Sequence, residues 1–513
     1  MSSKYDVIII GAGLNGLVTA TTIAKRGRKV LVLEKMAQTG GLAASTEFHP
    51  GFRNAGVLHD TTAFRPWVVE QLELKKHGLK QRSDEVPVFA PQKSGRGLLL
   101  WRSPDRAQEE LAQISQKDAK AYRDYRTFTT RVGAFLAKVF DDFPPDVESM
   151  SFPGAWDIMK KAVGLRRLGK ADMMEILRVG PMCVADWLNE YFETNLLKAV
   201  LAGPAIYNSF TGPWSPGTNL NLLLAEAFYQ NPVEGGPPAL TKALLAAASA
   251  AGVEVRTNAE VKRVDVDGKK VKGVTLMDGT QIATDKVGAS CDPKQLFLKL
   301  IDPTQVTMKF EANIQNIRAR GTTAKIDLAV KGYPELQGRT NFKAEIIRTG
   351  EFFDQMEHAF DAVKYGEFSS EPILDIYIPT VENPALAPSG QHVVQILVHF
   401  APHALKGGWT QAKKDALYET ALTTLSQYMP GIREQIVGKE VLTPADLETR
   451  YNLSGGHLFH GEHAADQLLV RPTPECTRYS TPYEGLFLCG SGSHPGGGLT
   501  GAPGAFAAKA IMS

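Results

Sequence analysis

Hydrophobic positions along the chain change period several times, and each change predicts an element. The run from Tyr5 to Ile10 is rich in β-branched residues, as in a strand buried on both faces. Leu14 to Arg26 has helical spacing of apolar residues, Gly27 ends it, and Lys29 to Glu34 predicts a second strand. Residues from about 66 to 234 have a helical texture, broken by Pro153, Pro181, Pro204, Pro213 and Pro216. An α/β pattern returns at Gly235. Leu240 to Ala251 predicts a helix and Val253 to Thr257 a strand, followed by short strands around the turns Asp267-Gly268 and Asp278-Gly279. Residues from about 301 to 440 mix strands (Ala324 to Val330, His392 to Phe400) with a helix over Gln411 to Tyr428. The strand Leu486 to Cys489, a glycine-rich loop and an alanine-rich helix from about Ala502 follow.

The α/β texture thus occurs in three separated pieces. The simplest organisation is one nucleotide-binding domain built from residues 1–65, 235–300 and 475–513. A substrate-binding domain with a helical lid, residues 66–234 and 301–474, is then inserted into it. Composition leaves this picture unchanged. The 513 residues are 43% apolar and 22% charged, with a formal charge of +2, which points away from nucleic acid as a partner. The four cysteines, Cys183, Cys291, Cys476 and Cys489, form no CxxC and read as buried small hydrophobes. Charged and polar residues run straight into the first strand without a secretory signal, and no stretch approaches the roughly 18 apolar residues of a membrane span. The expected location is cytoplasmic, with peripheral membrane contact as an alternative.

Chemistry enters with Gly11-Ala12-Gly13-Leu14-Asn15-Gly16, a GxGxxG between a strand and a helix. The first glycine permits the tight turn, the second lets backbone approach a pyrophosphate, and the third packs helix on strand. Glu34 ends the second strand 18 residues after Gly16, where a carboxylate suits the ribose hydroxyls. These residues alone admit NAD or FAD. Gly40-Gly41, six residues after Glu34, offers a second close backbone approach that favours FAD. The loop Gly490 to Gly501 lies between a buried strand and a helix, where it could cradle the ribityl chain and the flavin. Leu14, Asn15, Lys35, Leu42, Val261, Gly490, Ser491, Gly498, Leu499 and Thr500 complete the candidate FAD-binding set. The resulting fold class is α/β: a discontinuous Rossmann-like FAD-binding domain plus an inserted α+β substrate domain with a mixed sheet.

Five segments carry a family resemblance: IIIGAGLNGLVTA near residue 8, GGLAASTEFHPGF near 40, EGGPPALTKAL near 234, YNLSGGHLFHGE near 451 and LFLCGSGSHPGGG near 486. With the run from Phe360 to Phe400, they make the chain similar to the phytoene desaturase-like branch of the amine-oxidase/FAD oxidoreductase superfamily. Within it, the chain most resembles the group named for a pyridine nucleotide-disulphide oxidoreductase domain. The resemblance spans nearly the whole chain and implies a flavin-dependent oxidoreductase. Many relatives have Arg after the diglycine, where Leu42 stands here, so one phosphate or flavin contact would come from elsewhere. Ser491 and Gly492 stand where amine oxidases carry an acidic residue, which favours carbon–carbon over amine chemistry. Without a CxxC, dithiol chemistry is not implied.

Three residues are candidates for catalysis. Lys325 resembles the amine-oxidase lysine that holds a water beside the flavin, although a strand lysine facing solvent would look the same. His460 and His494 read either as proton carriers or polar anchors lining the flavin pocket, or as hydrogen-bonded loop histidines; His59 is a weaker candidate of the same kind. The spacing His457-x-x-His460-x-x-His463 gives imidazoles no common face, so no metal is expected. The basic segment Trp156 to Val179 reads as an amphipathic surface for anionic lipid, a solvated lid, or a contact between copies of the chain. The expected reaction is dehydrogenation or desaturation of an apolar or alicyclic small molecule, with electrons passed to oxygen, a quinone or another acceptor. A C–N oxidase, or a flavoprotein whose FAD is not redox-active, is the alternative.

Overall fold

A computed structural model describes residues 4–145, 152–339 and 342–513. Five parallel strands form one sheet in the order Leu486–Leu488, Val287–Ala289, Val7–Ile10, Val30–Leu33 and Glu254–Arg256. Parallel strands are covered on both faces, which explains why Val7–Ile10 and Val30–Leu33 are buried throughout. The sheet draws strands from all three α/β pieces of the chain. The helix Leu14–Ala24 has no exposed face, because it lies between the sheet and the helices Gly236–Ala250 and Ala502–Met512.

Glycine permits that packing. A Cβ on Gly16 would lie 2.1 Å from the Gly11 carbonyl oxygen, and one on Gly504 would lie 2.3 Å from that of Asn15. The Thr19 hydroxyl also donates to the Gly504 carbonyl at 2.9 Å. The first and last helices of the chain therefore meet backbone to backbone.

The second sheet is mixed and has seven strands, in the order Ile436–Leu442, Thr323–Val330, His392–His399, Ile373–Tyr377, Ile346–Arg348, Val88–Ala90 and Leu98–Leu100. Its last two strands come from the region with a helical texture. They are three residues long, too short for a period-2 pattern to register. Alternation gives the sheet two unlike faces. Ala324, Ile326, Leu328, Ile376, Ile396 and Val398 pack on one side with Leu417, Leu422 and Leu425 of the helix Gln411–Ser426. The other face carries Lys325, Asp327, Arg348, Asp375, Tyr377 and Gln395. Cross-strand register aligns Arg348, Asp375, Leu397 and Lys325 in one row and Ile346, Tyr377, Gln395 and Asp327 in the next.

The helical part includes Gln116–Phe140, Val184–Tyr191, Asn195–Ile206 and Thr218–Phe228, packed around the buried Trp187, Tyr122 and Tyr125. The basic segment is two helices, Phe152–Arg167 and Lys170–Val179, separated at Gly169 (φ +92°). Among the described residues, no helix is long and apolar enough to cross a membrane.

Replacing Gly504 by leucine would force the first and last helices apart. We predict a destabilisation of about 3 kcal/mol or more, read as a lowered thermal unfolding midpoint. An unchanged midpoint would show that the helices do not depend on this contact.

Candidate functional site

A cleft of about 390 Å³ opens at the carboxyl ends of the parallel strands, where ligands bind in open α/β sheets. Gly11 turns at φ +95°, and a Cβ on Gly13 would have open space around it, so the backbone here faces the cleft bare. The Gly40 amide donates to the Ala12 carbonyl at 2.8 Å, and a Cβ on Gly41 would lie 3.1 Å from Gly13 Cα. The diglycine and the fingerprint loop thus pack against each other. Glu34 is buried, with Oε2 accepting from the Ala12 amide at 2.7 Å and Oε1 from the Met36 amide at 2.9 Å. These bonds fix the carboxylate at the strand end, where it would meet ribose hydroxyls.

Thirteen of the sixteen candidate FAD residues line this cleft: Gly11, Gly13, Leu14, Asn15, Glu34, Lys35, Gly40, Gly41, Leu42, Val261, Ser491, Gly498 and Leu499. Gly16 does not line it and serves packing. Gly490 does not line it either, since a Cβ there would lie 2.5 Å from the Ser290 carbonyl oxygen. Thr500 lines a neighbouring cavity instead. Ser290, Cys291 and Asp292, just past the strand Val287–Ala289, also line the cleft and carried no motif. Burial pushes the Cys291 thiol well up, so it stays protonated.

The residues present fit FAD. Bare backbone at Gly11 to Gly13 and the start of the helix Leu14–Ala24 suit a pyrophosphate. Glu34 suits the ribose. Asn15 Oδ1 and His460 Nδ1 are buried in the cleft wall without a partner, as polar atoms awaiting a ligand would be.

The second cavity, about 320 Å³, lies between the helical part and the polar face of the mixed sheet. It shares Leu58, Gly498 and Leu499 with the cleft, so the two spaces meet there. Leu201, Leu224, Phe228 and Val200 form an apolar helical wall, whereas Arg348, Asp375 and Tyr377 come from the sheet. Arg348 Nε donates to Asp375 Oδ1 at 3.3 Å. Arg102 Nη2 donates to Glu226 at 2.6 Å, and Arg126 pairs with the same carboxylate. His59 stacks on Tyr377, with ring centroids 5.0 Å apart and planes at 14°.

The candidate catalytic residues separate. Lys325 lines neither of these two spaces: its ammonium donates to Asp327 at 2.5 Å in a buried pair, so it does not face solvent. Burial pulls its pKa down and Asp327 opposes that pull. Asp327 in turn accepts from Asn54 Nδ2 at 2.9 Å. The pair thereby anchors the segment that runs on to Leu58. His494 also lines neither space. It stacks on Phe140 at 5.6 Å with Nε2 3.2 Å from the Phe140 carbonyl, and burial lowers its pKa to about 3. This matches the loop-histidine alternative. His460 lines the cleft, and burial lowers its pKa, leaving it neutral. His463 lines the second cavity and accepts from the Gly497 amide at 2.9 Å, while His457 Nδ1 accepts from the Phe459 amide at 3.2 Å. One nitrogen of each is thus committed to a separate loop amide.

Replacing Glu34 by glutamine removes the charge that faces the ribose. We predict FAD binding weakened about tenfold, measured by titrating apoprotein with FAD. Unchanged affinity would remove Glu34 from the site.

The flavin containing amine oxidoreductase family model matches residues 14–508. The chain is 32% identical to pyridine nucleotide-disulfide oxidoreductase domain-containing protein 2 of Rattus norvegicus, over 100% of this chain and 94% of the relative. It is 27% identical to a limonene dehydrogenase chain of Castellaniella defragrans, over 99% and 94%. An oxidoreductase from Methanosarcina mazei shares the fold, with a TM-score of 0.60 at 16% identity over 99% of both chains. The glycine-lined cleft has the residues that would hold FAD, and the chain belongs to the flavin containing amine oxidoreductase family as an FAD-dependent oxidoreductase.

Proposed function

We propose that the chain is an FAD-dependent dehydrogenase that oxidises a CH–CH group in a substrate with an apolar or alicyclic body. The observation that carries this reading is the junction at Leu58, Gly498 and Leu499, where a cavity with an apolar helical wall meets the cofactor cleft. A substrate held there has its carbon skeleton against Leu201, Leu224 and Phe228, and one end at the cofactor. Bound FAD supplies the electron sink, accepting a hydride at N5. The protein's part is to align the C–H bond, exclude water through the apolar wall, and receive the remaining proton. Oxygen or a quinone then takes the electrons. The Castellaniella relative is named for limonene, an alicyclic hydrocarbon, which supports a substrate of this class. Ser491 and Gly492, in place of an acidic residue, support carbon–carbon over amine oxidation.

Anaerobic mixing of the holoprotein with alicyclic donors should bleach the flavin band near 450 nm. Inertness toward every such donor, with bleaching by amines, would overturn the proposal. Leu224→Trp, which thickens the apolar wall and does not line the cofactor cleft, should leave FAD bound while slowing that bleaching by about 100-fold, as expected when reacting atoms are displaced by about 1 Å. Unchanged bleaching would place the reacting carbon elsewhere.

A further inference from the structure

The polar wall of the second cavity is a poor match for a plain hydrocarbon. The Arg348 side chain lies at the cavity, with only its Nε donating to a protein acceptor, the Asp375 carboxylate. Its two terminal nitrogens, with four N–H groups, have no acceptor among the described residues. Tyr207 lines the same cavity with its ring centroid 5.9 Å from the guanidinium carbon, and its buried hydroxyl has no partner. Donors that line a cavity can bind an acceptor held in it.

Charge selects which acceptor. Asp375 already sits against Arg348 and Asp60 lines the same space, whereas Glu345 and Glu382, which also line it, are paired with Arg82. A carboxylate would therefore bind against a negative field, and an ammonium has no lone pair to offer. A neutral carbonyl oxygen satisfies the donors without adding charge.

His59 completes the arrangement. It follows Leu58 at the junction, and its side chain is 8% exposed. Nε2 faces Asp375 Oδ2 at 3.8 Å, and the ring is stacked on Tyr377. Asp375 and Tyr377 are two residues apart on one strand and so present one face to the imidazole. Asp375 thus has one oxygen toward Arg348 and the other toward His59.

We propose that this cavity takes a carbonyl compound, with its oxygen held by Arg348 and Tyr207 and its α-proton removed by His59. The α C–H bond breaks, the proton passes to an imidazole nitrogen, and the electron pair forms the enolate double bond as the carbonyl π pair moves onto oxygen. Arg348 stabilises that oxygen charge, and Asp375 stabilises the imidazolium. FAD, when bound, would be the oxidant that takes the β-hydrogen as hydride, so that the carbonyl is restored and an α,β-double bond remains. Burial lowers the pKa of His59, while Asp375 and Asp60 oppose this; the imidazole is neutral and able to accept the proton. This inference rests on the dehydrogenase reading and narrows it to carbonyl compounds.

The test uses the FAD-loaded protein, 2-decalone as probe, and decalin and decahydro-2-naphthoic acid as matched controls. Proton NMR in D₂O reads exchange at the α-carbon, and the visible flavin band reads binding. We expect the protein to accelerate α-exchange. His59→Gln should remove that acceleration while leaving binding within about twofold. Arg348→Gln and Tyr207→Phe should each weaken ketone binding about tenfold, and neither should alter decalin binding. Absence of exchange above buffer, exchange unaffected by all three substitutions, or tighter binding of the acid than of the ketone would overturn the proposal. Exchange needs no electron transfer. Exchange without bleaching would therefore contradict the dehydrogenase reading alone, and bleaching by hydrocarbons without ketone exchange would contradict this inference alone.

Discussion

The buried polar face of the mixed sheet is the feature on which the rest of the site depends. A sheet covered on both sides normally carries apolar residues on both. Here one side carries Lys325, Asp327, Asp375 and Gln395, each less than 9% exposed. Charges withdrawn from water in this way are tolerated only when paired and hydrogen-bonded. Lys325 neutralises Asp327, which leaves the other Asp327 oxygen for Asn54 Nδ2. Gln395 accepts from the Ala55 amide at 2.8 Å and donates to the Gly56 carbonyl at 2.9 Å. The sheet thereby holds residues 54–56 over its polar face. Leu58 and His59 follow within three residues, and they stand where the two spaces meet.

This gives the lysine a structural purpose in the sheet. Of its three N–H donors, one is committed to Asp327, which in turn anchors Asn54. The same logic assigns Gly504. Neither residue lines the cofactor cleft, yet each fixes an element that forms it or its border.

Much of the cofactor domain was legible in the sequence because its constraints are local. Glycines required by close backbone approach, a carboxylate at a strand end and unbroken β-branched runs each sit within a few residues of what they act on. Even there, Ser290 to Asp292 went unseen, since a strand end without glycines has no distinctive pattern. The substrate cavity was much less legible. Arg348, Asp375 and Lys325 share a row through cross-strand register, and residues 348, 375 and 325 give no hint of it in the chain. Lys325-x-Asp327 could have been read, because alternate residues on a strand share a face. His494 could not: its position against Phe140 joins segments more than 350 residues apart.

The central claim is that the substrate cavity meets the flavin at Leu58, Gly498 and Leu499, in front of the polar sheet face. A crystal structure of the FAD-loaded protein tests it most directly. The account predicts the flavin ring within van der Waals contact, about 4 Å, of Leu58 and Leu499, with its N5 edge open to the cavity that holds His59 and Arg348. A ring lying elsewhere, or walled off from that cavity by protein, would contradict it.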